Sequence, residues 1–275
     1  MITYPVYLET TDDGRCMAHV LDLPGCFARG QSRMEALQAL PDAIQEYYAW
    51  LRRHGELPPS GGERFGVKVA GESKGCAPFE PGDAAALFPP ERKPITLEEM
   101  EYYFRLMSHA RTDLLAIVRN LPSDVLDWQS DAGSLSIRKL LRHVGNAEKW
   151  YVSRVVPLEG LPAGWEDDEE MPVLEYLEMV RRTAIARLRQ LNENERSSVF
   201  HPAYWTRHPE EAWTARKVLR RFLEHEREHT AQAVEILKAL RQRLLVQLDA
   251  ERAVLLQQLE GLDEKTLIGR RASDG

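Results

Sequence analysis

Cysteine is scarce in this chain: Cys16, Cys26 and Cys76 stand among 275 residues, and none belongs to a C-x-x-C pair. That excludes a disulfide framework and predicts reduced thiols in a cytoplasmic protein. Long apolar runs are missing too. No uninterrupted stretch approaches the roughly 20 residues of a membrane-spanning helix. Positive charge is in deficit, with 36 Lys and Arg against 43 Asp and Glu for a net −7, which argues against nucleic acid and anionic membrane as partners. The opening "MITYPVYLETTDDGR" meets acidic side chains at once, with no basic segment leading into an apolar run, so no signal peptide is expected. What is present is a hydrophobic fraction of 43%, enough in a chain of this length for the cores of two ordinary domains.

The pattern changes once along the chain. "ITYPVYLET", the turn "DDG" at Asp12 to Gly14, and "RCMAHVLDL" predict an antiparallel hairpin. "PGC" at Pro24 to Cys26 turns the chain into a short third strand, and Ser32 opens a helix with Ala36, Leu40, Ile44, Tyr48 and Leu51 on one face. Pro41 inside that run predicts a kink. "RFGVKVAG", Arg64 to Gly71, completes a β-β-β-α-β unit over residues 1–71. Residues 72–95, dense in Pro, Gly and Ala, are expected to be a linker. Over 96–240 the period turns helical, with caps at Thr96 and Ser136 and further starts near Pro172 and Thr214. Four amphipathic helices predict a bundle, so the fold class is a small α+β domain followed by an all-α four-helix bundle.

On the last of these helices Val218, Phe222, Ile236 and Leu240 mark a buried stripe, and His225 and His229 fall on it one turn apart. His143 lies beside the stripe of the second helix at Leu140 and Ala147. Two imidazoles at i and i+4 with a third from a neighbouring helix suit one first-row metal. A single HxxxH pair in a chain with 8 histidines also arises by chance, and lone histidines beside an apolar face are usually packing residues. The letters H-E-x-x-H also spell a zinc-protease pattern, but no histidine follows His229 and no edge strand accompanies it. A ferritin-like di-iron centre needs two Glu-x-x-His pairs, and only Glu226 to His229 supplies one. Before the ligand helix, "SSVFHPAYWTRHPEEAW" carries Tyr204 and Trp205; with Trp150 they either shape a pocket over the metal or cap the bundle end. Glu148 either orients a ligand histidine or, more commonly for such a position, sits on an exposed face. His19 and Cys26 read as packing and turn residues.

"SIRKLLRHVGNAEKWYVSRV" followed by "VLRRFLEHEREHTAQAVEIL" resembles the DinB-like family of metal-binding four-helix bundles. The resemblance implies a down-up-up-down bundle whose long crossover is "PLEGLPAGWEDDEEMP". It places the family's three ligand histidines on His143, His225 and His229, around one divalent metal such as zinc or nickel. Relatives in that family include transferases and isomerases that use low-molecular-weight thiols. The implied function is metal-dependent thiol (S-)transferase chemistry on a small-molecule substrate. Three protein ligands with a place left for water or thiolate fit that chemistry.

The N-terminal segment, with Asp22-Leu23-Pro24-Gly25-Cys26 and Gly30, resembles the HicB-like antitoxin fold. This implies a toxin-like protein partner for residues 1–71. The bundle stands where that family usually places a DNA-binding segment, which speaks against operator binding. The competing expectation for the whole chain is therefore a non-catalytic regulatory or protein-interaction module. Residues 241–275 read as an extra helix and tail. From Glu251 they echo the first bundle helix, with Arg252, Leu255, Leu256, Leu262 and Leu267 matching Arg111, Leu114, Leu115, Leu121 and Leu126. This segment either is the truncated start of a second bundle or matches by coincidence between two leucine-rich helices. Its apolar face is expected to pack on the bundle or on another subunit, as in a homodimer.

Overall fold

The computed structural model describes residues 2–59, 64–76, 85–131, 133–161, 165 and 170–260. Its first unit is β1 (Ile2–Thr10), β2 (Cys16–His19), β3 (Phe27–Gly30), α1 (Arg33–Arg53) and β4 (Phe65–Lys74). The sheet order is β3-β2-β1-β4, with β1 antiparallel to β2 and parallel to β4. The parallel pair needs a crossover, which α1 supplies. Ala36, Leu40, Ile44, Tyr48 and Leu51 of α1 are all buried, as the spacing predicts, and Ser32 caps the helix by accepting from the Glu35 amide. The helix continues through Pro41. Pro41 lies on the solvent side, where water can serve the carbonyl that loses its donor.

Residues 72–74, expected in the linker, instead extend β4. Further along the same stretch, Ala85, Ala86, Phe88 and Glu91 are buried, with the Phe88 ring 5.1 Å from that of Tyr7. This part of the connection therefore packs against the sheet. Residues 77–84 lie outside the described residues.

The second unit is α2 (Leu97–Val118), α3 (Ser123–Asp127), α4 (Ile137–Ser153), α5 (Val173–Arg189), α6 (Glu193–Ser197) and α7 (Ala215–Glu260). Thr96 and Glu99 form a capping box at α2, and Ser136 accepts from the Lys139 amide at α4. Side-chain partners give the directions of the four long helices. Glu99 meets Arg216 and Arg111 meets Glu226, so α2 and α7 run parallel. Arg142 reaches the Met171 carbonyl and Glu148 meets Arg181, so α4 and α5 are also parallel. Glu101 meets Arg189 while Arg111 reaches the Leu177 carbonyl, so α2 and α5 are antiparallel. The bundle is thus down-up-up-down, and consecutive parallel helices require a long crossover between α4 and α5. Residues 162–164 and 166–169 of that crossover lie outside the described residues.

The two units share one apolar cluster running from Val6 and Leu8 through Tyr47 and Trp50 to Leu219 and Leu223. Gly25 permits the closest approach. Its φ is +84°, and an added Cβ would lie 2.6 Å from Leu223 Cγ. Beside it, His19 Nδ1–H donates to Glu224 over 2.7 Å, and both residues are buried. Burial, the largest single effect, pulls the His19 pKa down and Arg220 pushes the same way, but the Glu224 and Glu9 carboxylates together make the net shift upward. Glu9 approaches His19 Nε2 at 3.4 Å and Arg220 at 3.8 Å without hydrogen-bonding geometry.

Two outcomes follow for the seam between the units. Gly25→Ala combines a left-handed backbone with a clash, and should cost about 1–3 kcal/mol in denaturant unfolding. The His19 contribution is complete below the unfolded histidine pKa of about 6.5 and is lost as pH rises through the higher folded value. Unfolding stability measured from pH 6 to 9 should therefore fall more steeply in wild type than in His19→Gln. Equal slopes would show that His19 is not charged at this seam.

Candidate metal centre

α7 starts at a Thr214 cap, whose hydroxyl accepts from the Lys217 amide, and its first five turns carry a buried face of Val218, Leu219, Phe222, His225, Glu226 and His229. The i, i+4 spacing stacks His225 and His229 on this face. α4 crosses it antiparallel and brings His143 to the same point. His143 Nε2 lies 3.0 Å from His225 Nε2, and His225 Nε2 lies 3.0 Å from His229 Nε2. Among the described residues this trio is the one His, Cys and carboxylate group whose ligand atoms all fall within 4.8 Å of one another.

Ligand atoms about 2.0–2.1 Å from one metal lie roughly 2.9 Å apart at right angles and roughly 3.4 Å apart at tetrahedral angles. The His143–His225 and His225–His229 separations fall in that interval. The tautomer agrees: His229 Nδ1 is 2.7 Å from Gln232 Oε1, an acceptor, so Nδ1 carries the proton and Nε2 presents a lone pair to the centre. Burial holds His143 and His229 down to about 4, and His225 well below the ordinary histidine value. Neighbouring histidines push His143 and His225 the same way. The three rings are neutral at pH 7, the form that ligates. His225 and His229 are buried, and His143 is the member of the trio that is partly exposed.

Behind the histidines lies a four-membered ionic cluster with one residue from each long helix. Arg111 bonds Glu226 and, at 2.5 Å, Glu148; Arg181 bonds Glu148 at 2.6 Å and Glu226 at 2.7 Å. Glu148 is 2% exposed, so the expected exposed face is corrected, and its carboxylate is taken by arginines rather than by a ligand histidine. Glu226 is likewise committed. Burial raises its pKa, but Arg111 and Arg181 more than reverse that. A carboxylate held ionised between two guanidiniums does not serve as the base of an H-E-x-x-H protease.

The aromatic candidates gather elsewhere. Tyr204 O–H donates to the Ser153 and Val156 carbonyls, Trp150 Nε1–H donates to the Trp205 carbonyl at 2.6 Å, and Arg154 lies over the Trp150 and Tyr204 rings. Trp205, 62% exposed at φ 51°, stands at the tip of a loop pinned by the Phe200–Trp213 bridge. The Tyr204 contacts satisfy carbonyls at the C-terminal end of α4, about 15 Å along the axis from His143. Among the described residues no ring contact or hydrogen bond joins Trp150, Tyr204 or Trp205 to the histidines. The ring that does touch the site is Tyr151, edge-on to His225 with centroids 5.8 Å apart. Gln232 was missed by sequence reasoning, and its one signal is position, three residues after His229 on α7. Tyr151 falls on the buried stripe of α4, two turns after His143, where the spacing favours core packing over a place in a pocket.

The ionic cluster is tested by removing one member. Glu148→Ala leaves two buried guanidiniums short of a counter-charge and should cost about 3–5 kcal/mol in denaturant unfolding. A loss below 1 kcal/mol would mean the cluster is hydrated in solution.

Residues 106–233, which contain all three histidines, match the DinB superfamily model. At the N-terminal end, 56 residues are 38% identical to UPF0150 protein Ta0767 of Thermoplasma acidophilum, covering 20% of this chain and 81% of that protein. A solved structure, YfiT from Bacillus subtilis, described as a probable metal-dependent hydrolase with an unusual four-helix bundle topology, is 16% identical with a TM-score of 0.41, over 57% of this chain and 94% of that one. The bundle is a DinB-like domain over residues 106–233, and through its N-terminal unit the chain belongs to the HicB-like UPF0150 proteins.

Proposed function

We infer that His143, His225 and His229 hold one divalent metal ion, zinc or nickel, and that the bundle is a metal-dependent enzyme for small molecules, with thiol (S-)transfer as its chemistry. The observation that carries this reading is the convergence of three neutral Nε2 atoms, with the His229 tautomer set by Gln232. A bound divalent ion would supply a Lewis acid that holds a low-molecular-weight thiol as thiolate at neutral pH. The protein's own part is to orient and to exclude water. Gln232 fixes one ring, Tyr151 walls another, and the Arg111–Glu148–Arg181–Glu226 cluster holds the helices that carry them. The partly exposed side at His143 is the entry for thiol and substrate.

One observation favours a second reading, a regulatory or protein-interaction module. Arg29 of β3 bonds Glu228 at 2.5 Å, so the HicB-like unit touches the ligand helix next to His229. A toxin-like protein bound to residues 1–71 would then act on the site through that contact.

Metal content per chain, by inductively coupled plasma mass spectrometry, should be about one in wild type and near zero in His225→Ala. Gln232→Ala should weaken metal affinity about 10–100-fold. The loaded protein should then consume a low-molecular-weight thiol together with an electrophilic co-substrate. Failure to take up zinc or nickel would end the metal reading, and uptake without turnover or metal-activated water would favour the regulatory one.

A further inference from the structure

The four long helices of the bundle are not of equal length. α2, α4 and α5 have 22, 17 and 17 residues, whereas α7 has 46, about 69 Å at 1.5 Å per residue. Its last buried residue is Ala233, and Ile236 and Leu237 are the last to pack on the bundle core. Every residue from 241 to 260 is exposed. Leu248 and Leu255 remain 60% and 58% exposed, and Leu244 and Leu245 are also uncovered. A helical arm with leucines this open is a surface in want of a partner.

The spacing describes the partner. Leu237, Arg241, Leu244, Leu248, Glu251 and Leu255 follow one another at intervals of 4, 3, 4, 3 and 4, the seam of a two-stranded coiled coil. The seam continues the face that α7 turns toward the bundle, since Leu237 belongs to both. Its two charged members have opposite sign. When a second copy is laid antiparallel about a two-fold axis at Val246, Leu237 faces Leu255, Leu244 faces Leu248, and Arg241 faces Glu251, each pair occurring twice. Parallel in-register pairing would instead set Arg241 on Arg241 and Glu251 on Glu251. The arm as a whole agrees, because residues 238–243 hold three positive charges and no negative one, while 249–260 hold three negative and one positive. Among the described residues Arg241 makes no ion pair within the chain, and Glu251 accepts only from the Gln247 amide at 2.9 Å. Antiparallel pairing also places the two bundles at opposite ends of the paired arms.

We propose that the chain is a homodimer joined by an antiparallel coiled coil of the α7 arms, with Leu237–Leu255, Arg241–Glu251 and Leu244–Leu248 as its layers. The two-fold pairing is isologous, so the arms cover each other and leave no open end.

Sedimentation equilibrium on the full-length protein at micromolar concentration tests this. Wild type should sediment at twice the chain mass of 31.5 kDa. Leu248→Glu should sediment as a folded monomer with its metal content unchanged. Arg241→Glu and Glu251→Arg should each weaken the dimer at least tenfold, and the double exchange should restore it, an outcome that parallel pairing cannot produce. A monomeric wild type, or a dimer that survives Leu248→Glu, would overturn the proposal. Failure of the double exchange to restore the dimer would overturn the antiparallel register.

Discussion

The ionic cluster of Arg111, Glu148, Arg181 and Glu226 is the constraint on which the rest of the bundle depends. Each of the four long helices contributes one member, and each carboxylate is shared by both guanidiniums. Removing four charges from water is expensive, and the cost is offset only when every partner is in place. The cluster therefore admits one relative setting of the helices, whereas leucine contacts alone would tolerate slippage. Glu226 is the residue after His225, and Glu148 lies little more than one turn beyond His143. The setting that neutralises the arginines is thus also the one that brings three imidazoles to a point.

α7 is packed on two faces. Toward the other bundle helices it presents Phe222, His225, Glu226 and His229. Toward the HicB-like unit it presents Leu223, Glu224 and Glu228, which meet Gly25, His19 and Arg29, and beside them Arg220 meets Glu91 of the connecting segment. A single rigid rod thereby links the sheet to the histidines within two turns. Burial on both sides also explains why the sequence looks so charged there. "VLRRFLEHEREH" is not a solvated face but a set of internal ion pairs in a seam between two units.

Much of the architecture was legible because it is local. Alternation in "ITYPVYLET", the "DDG" turn, the Ser32, Thr96 and Ser136 caps and the 3.6-residue period over the bundle each follow from neighbouring residues, and each corresponds to an element of the structure. The pairing of His225 with His229 was equally a matter of spacing within one helix. His143 was placed by period and by family pattern together. Glu148 and Glu226 were read less well, because nothing near them in sequence announces that Arg111 and Arg181 stand opposite.

By itself, then, the sequence determined the order of strands and helices, the buried stripe of each helix, and which residues could serve as ligands, since these depend on contacts within a turn or a hairpin. Only the tertiary structure decided that the histidines converge, that Gln232 sets the tautomer of His229, that Trp150, Tyr204 and Trp205 close the end of α4, and that the segment around Phe88 packs on the sheet. Those outcomes depend on how distant segments share space, and a distance between residues 82 positions apart, such as His143 and His225, is set by helix packing and not by any local preference.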